Sequence, residues 1–292
     1  MKKLLFLRST ISESRLTNFL NTGLKGNVQV ISESLHNLIF SFSQDGCQVT
    51  IGDQDVRDFD AVWFRQTNKR DFPLVLALSN ILKENKVRFF DPFWAENFSH
   101  DKLSTLVKFS LAGLPVPLTI FVSHKRLKDS EKNIIKFLGL PLVAKEIHKN
   151  RGEGVYLIEK EEDFNQLLHN SHEEYLFQPF LPNDGDYRLL VMGKRVVSWE
   201  KRFRKTDKFR NNASLGGTET FFPLKDLPKD WQKISLSAAA IAGLAITGVD
   251  LVVSQKDQKC YLLEINRSPQ FTFDHGRSPE VKAVKKFLSS LA

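Results

Sequence analysis

Two adjacent apolar segments of this chain carry hard oxygen donors. GVDLVV at 248–253 holds Asp250, and CYLLEINRSPQF at 260–271 holds Glu264 and Asn266. In the second segment Leu262, Leu263 and Ile265 surround the polar pair, and the period of two in an extended strand puts Glu264 and Asn266 on one face. Two carboxylates and an amide suit a hard divalent ion, Mg²⁺ first and Mn²⁺ as its alternative, that keeps some water and shares the rest of its coordination with phosphate oxygens. The same three residues also fit the wet face of an antiparallel hairpin, so their surroundings must decide.

The elements that would position them follow from periodicity. Residues 3–7, 27–31, 61–66 and 87–90 read as short strands. Residues 72–84 read as a helix, with Asp71 as its cap, Pro73 in its first turn and Leu74, Val75, Leu78, Ile81 and Leu82 in one stripe. Strands alternating with helices imply an open α/β lobe over 1–97. Ser99 reads as the cap of a helix carrying Leu103, Leu106, Val107 and Leu111, stopped by Gly113. Strands at 118–122, 142–147 and 155–159 with helices at 130–138 and 163–169 make a small α+β lobe over 98–177. A hairpin at 187–203 turning at 192–194, a helix at 231–242, the two donor strands and a last helix from Ser278, Pro279 and Glu280 fill a mixed lobe over 178–292.

Composition sets the outer bounds. A chain of 292 residues, 41% hydrophobic and 26% charged, suits a globular protein of two or three lobes around a shared cleft. Cys47 and Cys260 form neither a metal-ligand spacing nor a disulfide framework, which fits a reducing cytoplasm. The start MKKLLFLRST imitates a signal peptide, but its apolar run ends at Arg8 and it reads as a first strand. No stretch is long and apolar enough to suggest a membrane span. Net charge is +8, and residues 194–210 hold eight Lys or Arg against Glu200 and Asp207. With three aromatics there, Trp199, Phe203 and Phe209, and no nucleic-acid motif, phosphates or an acidic substrate explain this strip at least as well as nucleic acid does.

Read in order, HDKLSTL at 100–106, LVAKEIHKNRGEGV at 142–155, LFQPFL at 176–181, GDYRLLVMGKRVVSWEKR at 185–202, FRNNASLGG at 209–217 and the donor strands resemble the ATP-grasp superfamily, most closely its RimK-like branch of ATP-dependent carboxylate-amine ligases. That resemblance implies an ATP-grasp fold with an N-terminal α/β lobe and ATP between the central and C-terminal lobes. It implies that Lys102 and Lys145 neutralise the triphosphate. Lys102 equally fits a surface lysine in a first helical turn, whereas Lys145 follows Leu142, Val143 and Ala144, where a buried ammonium needs a partner or a cleft. Gly152 and Gly154 would bring backbone N–H groups over the phosphates, although two glycines between strands also make a plain hairpin turn. Gln178, or the backbone of Phe180 or Leu181, would meet adenine, since Pro179 has no N–H. Asn212 and Arg210 would close the metal site. Asp186, which equally fits an ordinary same-face pair with Arg188, would order the nucleotide. Arg188 and Arg202 would hold the carboxylate and the transferred phosphate through their guanidinium forks, and Gly216 and Gly217 would turn backbone N–H groups to the acyl intermediate.

Two departures from the branch, Leu215 before the glycine pair and Gln270 after Ser268 and Pro269, fall where substrate is handled, and Lys149 and Arg151 make the phosphate cover more basic than usual. AVWFRQ at 61–66, with Trp63 and Arg65, and then Phe90, Asp91 and Pro92 resemble the peptide-modifying ligases of graspetide biosynthesis, although a buried Trp and an ion-paired Arg in a core strand fit equally. The implied substrate is then an acidic peptide or protein. An amino acid or small acid, as in dipeptide synthetases, and a nucleotide-binding protein without turnover are the alternatives, and pairing or tetramerisation of copies is implied by resemblance alone.

Overall fold

A computed structural model describes residues 1–10, 15–23, 28–44, 46–91, 101–149, 154–170, 173–203, 218–273 and 278–290. The chain is a mixed α/β structure, and four sheets run through the described residues. In the first, β1 (Lys2–Arg8), β2 (Val28–Ser34), β6 (Ala61–Phe64) and β7 (Arg88–Phe90) lie in the order β2-β1-β6-β7, all parallel. Parallel strands need crossovers, and α1 (Arg15–Gly23) and α2 (Phe72–Glu84) lie in two of them. Both faces of β1 and β6 are buried. Leu5, Leu7, Val62 and Phe64 pack on α2, and Leu4, Phe6 and Trp63 pack toward the C-terminal end of the chain.

Between β2 and β6 the chain makes a small antiparallel sheet of β3 (Leu38–Ser43), β4 (Gly46–Ile51) and β5 (Gln54–Asp55), which the sequence reading does not place. In β3 Ile39 and Phe42 are exposed, and in β4 Val49 and Ile51 are the buried residues, so no period separates inside from outside. Asp71 precedes α2 as expected, but its side chain does not cap the helix. It is buried, accepts from the Asn68 N–H at 2.6 Å and from the Ser9 hydroxyl, and faces His36 at 3.4 Å, tying the loop after β6 to the end of β1.

The helix expected from Ser99 is α3 (Lys102–Leu111), and its cap is Asp101, whose carboxylate accepts from the Ser104 N–H at 2.8 Å. Ser99 and the boundary placed at residue 97 lie outside the described residues. The second sheet runs β10-β9-β11-β8, from β8 (Ile120–Val122), β9 (Leu142–Glu146), β10 (Val155–Ile158) and β11 (Tyr175–Pro179), with α4 (His124–Leu138) and α5 (Glu161–Asn170) on one face. The boundary expected after residue 177 falls inside β11, which pairs with β9 as far as Pro179 and therefore stays with this sheet. α4 starts a turn and a half before the expected 130, because its first turns bury one apolar residue, Leu127, and show no stripe.

The third sheet carries the donor strands. β12 (Asp186–Met192), β13 (Arg195–Phe203), β14 (Thr218–Phe221), β15 (Ile246–Val253) and β16 (Cys260–Asn266) lie in the order β14-β13-β12-β15-β16, each pair antiparallel. α6 (Lys229–Ile241) covers one face, over Leu189, Val191, Trp199, Val249, Leu251 and Leu262. Tyr187, Trp199, Phe222 and Trp231 stack on that side, with the Trp199 indole donating to the Pro223 carbonyl at 3.0 Å. On the opposite face α7 (Glu280–Ser290) and the first sheet pack on Leu190, Met192 and Ile246, leaving the charged ends of β12, β13, β15 and β16 beside them.

Candidate active site

A row of four ionisable side chains crosses this second face. The register sets Glu200 on β13 opposite Arg188 on β12, Arg188 opposite Asp250 on β15, and Asp250 opposite Glu264 on β16. Neighbours in the row are separated by the interstrand distance of about 4.8 Å. One step along the same face, Asp186 stands opposite Arg202, and Arg202 opposite Glu219 on β14. A bulge at Leu263 keeps this alignment, turning Leu262 to the helix side while Glu264 stays level with Asp250. Plain alternation along β16 does not foresee that turn.

Arg188 grips Asp250 with both arms of its fork, Nε to Oδ1 at 2.8 Å and Nη2 to Oδ2 at 2.9 Å. Arg202 donates to Asp186 and lies 3.1 Å from the second Asp250 oxygen. The same-face pair between Asp186 and Arg188 is therefore not formed; each takes a partner across the strands. Asp250 is 4% exposed and Arg202 2%. Burial alone would raise the Asp250 carboxyl, but Arg188 and Arg202 outweigh it and hold the group below its ordinary range. Asp186, with less compensation and Asp250 nearby, is pushed up to about 6, first by burial. These charges are held in place before any ligand arrives, at a desolvation cost that only close pairing offsets.

Glu264, at the far end of the row, meets the second sheet. Lys145 lies on the face of β9 away from α4 and α5, where burial lowers its value and Glu264 works against that fall. Lys102, at the first turn of α3, is lowered by burial too and is supported by Glu264 and Glu146. Its ammonium donates to the Glu146 carbonyl at 3.0 Å and to the Lys149 carbonyl. The structure thus brings Lys102, Lys145 and Glu264 together from α3, β9 and β16. Gly154 closes the loop between β9 and β10 at φ +65°, and a Cβ there would fall 2.7 Å from Cδ of Glu146. Gly152, Arg210, Asn212, Gly216 and Gly217 lie outside the described residues.

The residues expected to meet adenine already have partners within the chain. The Phe180 N–H donates to the Pro141 carbonyl at 3.0 Å, and the buried Gln178 amide donates to Thr119 at 2.8 Å. The Phe180 N–H is thus taken by the second sheet, whereas the Gln178 amide keeps a second N–H and its oxygen.

The donor set matches a hard cation in kind. Asn266 donates its amide to Asp250 at 2.9 Å, which leaves its carbonyl oxygen for a ligand, and Glu264 lies between the two lysines and Asp250. Among the described residues no three His, Cys, Asp or Glu side chains are grouped closely enough to hold an ion by themselves. An ion here would therefore rest on Asp250, Glu264 and the Asn266 amide together with water or phosphate oxygens, as Mg²⁺ commonly does.

Three carboxyls of this face, Glu200 and Glu280 buried and Glu219 half-buried, were not singled out from sequence. Glu200 is pushed up to about 8, by burial first and then by Glu219 and Glu280, while Arg188 and Arg202 pull the other way. Glu280, at the start of α7, is pushed up to about 7 by burial, although it accepts from the Thr272 N–H at 2.7 Å and from Ser198 at 3.2 Å. Glu219 accepts from the Thr272 hydroxyl at 2.9 Å. Glu200 stands two residues before Arg202, so the strand period carried the signal. Of the basic strip, Lys201 pairs with Asp184 at 2.6 Å and Arg202 is buried in the row, while 204–210 lie outside the described residues.

Solved structures with this architecture include the ATP-grasp ligase PsnB complexed with minimal precursor, at a TM-score of 0.74 and 16% identity, covering 100% of this chain and 99% of that one. Another is the macrocyclase MdnC bound with precursor peptide MdnA from Microcystis aeruginosa MRC, at a TM-score of 0.71 and 16% identity over 99% of each chain. PsnB has also been solved with minimal precursor, Mg and ADP, at a TM-score of 0.72. The fold is that of the ATP-grasp proteins. Residues 99–290 match the family model of the RimK-like ATP-grasp domain, and the chain belongs to that family. A "Probable alpha-L-glutamate ligase" of Legionella pneumophila (strain Corby) is 34% identical over 176 residues, 59% of this chain and 56% of that protein. The protein of the same name from Cellvibrio japonicus (strain Ueda107) is 31% identical with the same coverage. The chain spans about half the length of these curated relatives.

Proposed function

We propose that this chain is an ATP-dependent ligase that converts a carboxylate into an acyl phosphate and joins it to an amine or hydroxyl on a peptide or protein. One observation carries the reading: a row of charges that starts at two lysines and a carboxylate on the second sheet's side and runs into two guanidiniums already fixed by Asp186 and Asp250. ATP phosphates would lie against Lys102 and Lys145, with the Leu181 backbone and the second Gln178 N–H as the remaining donors for adenine. An Mg²⁺ held by Asp250, Glu264 and Asn266 would offset phosphate charge. A substrate carboxylate oxygen attacks the γ-phosphorus, the bond to the β,γ-bridging oxygen breaks, and ADP leaves. Arg188 and Arg202 stand where a planar carboxylate and then a tetrahedral phosphate can be received by forked donors, so the charge of the transferring group is met without rearrangement.

A peptide substrate is supported by the fold, which is shared across nearly the whole chain with PsnB and MdnC, both solved with precursor peptides, and by the chain's net charge of +8, which suits an acidic partner. Attachment of an amino acid, with glutamate first, is the second reading, favoured by the relatives named alpha-L-glutamate ligases. Intact mass separates them: short acidic peptides encoded beside the gene are incubated with the protein, ATP, Mg²⁺ and, separately, L-glutamate. Loss of one water per bond marks intramolecular cross-linking, and a gain of a glutamate residue marks tail extension. Absence of both products and of ADP would overturn the ligase reading.

A further inference from the structure

At the end of the row opposite the lysines stands Glu200. It is 4% exposed, and its Oε2 has no hydrogen-bond partner among the described residues. Its neighbours Asp186 and Asp250 are both engaged by guanidiniums, and Glu264 stands at the nucleotide end, so Glu200 is the buried carboxyl at the far end of the row with an oxygen left for a ligand. The row also fixes its direction. Glu264 and the lysines mark the nucleotide side, Arg188 and Arg202 mark the transferred phosphate, and Glu200 lies directly across from Arg188 on the far side. A nucleophile that attacks the acyl carbon must approach away from the nucleotide, on that side.

We infer that Glu200 is the catalytic base of the second half-reaction, taking the proton of the acceptor amine or hydroxyl as it attacks the acyl phosphate. The inference rests on the ligase reading above. In the step, the acceptor lone pair forms the bond to the acyl carbon, and the acceptor N–H or O–H proton passes to the Glu200 carboxylate. The bond from the acyl carbon to the phosphate oxygen breaks with its electron pair, and the departing phosphate takes the proton from Glu200, giving amide or ester, hydrogen phosphate and the original carboxylate. The surroundings suit a base working near neutrality: Glu219 on β14 and Glu280 on α7 favour its protonated form, and Arg188 on β12 and Arg202 on β13 favour its charged form.

The test separates the two halves of the reaction. Hydroxylamine attacks acyl phosphates without a base, so with an acidic peptide, ATP and Mg²⁺ it reports activation of the carboxylate as hydroxamate. For Glu200→Gln, hydroxamate and ADP are expected within about threefold of wild type, while the cross-linked or extended peptide falls by about 10²–10⁴-fold. In wild type the bond-forming rate rises with pH through about 8, and this rise disappears in Glu200→Gln; Glu200→Asp restores part of the product. Hydroxamate with undiminished product in Glu200→Gln, or loss of hydroxamate in step with product, overturns the assignment. Wild-type protein that yields neither hydroxamate nor ADP overturns the ligase reading beneath it.

Discussion

Arg202 holds two carboxylates at once, and its removal should be costly for that reason. In Arg202→Met, Asp186 loses its hydrogen-bonded partner inside the sheet and Asp250 loses one of its two guanidiniums. Breaking a buried pair from one side costs about 3–5 kcal/mol, so urea unfolding should show a loss of that size and ADP release should stop. Glu264→Gln tests the other end. It keeps shape and removes the charge that supports Lys102 and Lys145, so ADP formation should be abolished while the far-ultraviolet circular dichroism stays that of the folded chain; unchanged turnover would sink the assignment of Glu264 to the nucleotide site. The raised carboxyls also set how stability varies with pH. Asp91, Asp186, Glu200 and Glu280 stand at about 7, 6, 8 and 7 in the fold, above their ordinary values. Between about pH 5 and 8 the folded chain therefore binds more protons than the unfolded one, and stability falls as pH rises through that window. Urea midpoints at pH 5, 6.5 and 8 should decline in wild type and decline less in Glu280→Gln.

Two short elements aim the lysines, and each depends on one residue. Without the Asp101 carboxylate the Ser104 N–H loses its acceptor, so Asp101→Ala should cost about 1 kcal/mol and weaken ATP binding through the displaced first turn of α3, measurable by calorimetry. Gly154→Ala combines a left-handed backbone with a Cβ driven into Glu146, and should cost at least about 1–2 kcal/mol in thermal or urea unfolding. At this scale the sequence was legible where one face is apolar and the other is not. The helix at 72–84 coincides with α2, and the donor hairpin falls on β15 and β16. It was poorly legible where the decisive partner is remote. Asp71 reads as a cap yet turns to Ser9 and Asn68, because β1 and β6 end side by side. Gln178 and Phe180 read as contacts for a base, and their partners Thr119 and Pro141 stand 59 and 39 residues away in the chain, beyond any local pattern. That Asp250, Glu264 and Asn266 share one face of adjacent strands was legible from local pattern; the strand period placed Glu200 on the face of Arg202, but the burial that sets Glu200 and Glu280 apart comes from remote elements that no local window contains.

The first and third sheets share one hydrophobic core, and specific polar links add to it. Asp91, at the end of β7, accepts from the Ala245 N–H at 2.7 Å and lies 3.4 Å from the Ile246 nitrogen, at the start of β15. Arg65 donates to the Pro269 carbonyl at 2.5 Å and lies over the rings of Trp63 and Phe271. Arg267 donates to the Thr67 carbonyl at 3.1 Å. The loop that follows Asn266 is therefore anchored to β6 a few residues beyond the candidate metal ligands. Asp91→Ala leaves buried N–H groups at β15 without an acceptor, a loss of about 1–3 kcal/mol, and should separate a single urea transition into two when followed by far-ultraviolet circular dichroism. No described helix is long and apolar enough to cross a membrane.

The side of β13 away from Glu200 carries Trp199, one residue along the strand, stacked against Phe222 and Tyr187 and edge-on to Trp231. Two indoles thus sit directly behind the charged row, separated from solvent chemistry by a single layer of backbone. The chain carries its own optical reporter: a change in ultraviolet emission on adding ATP that is lost in Trp199→Phe, which leaves the other three tryptophans in place, would register filling of the row with no label attached and before any substrate has been identified.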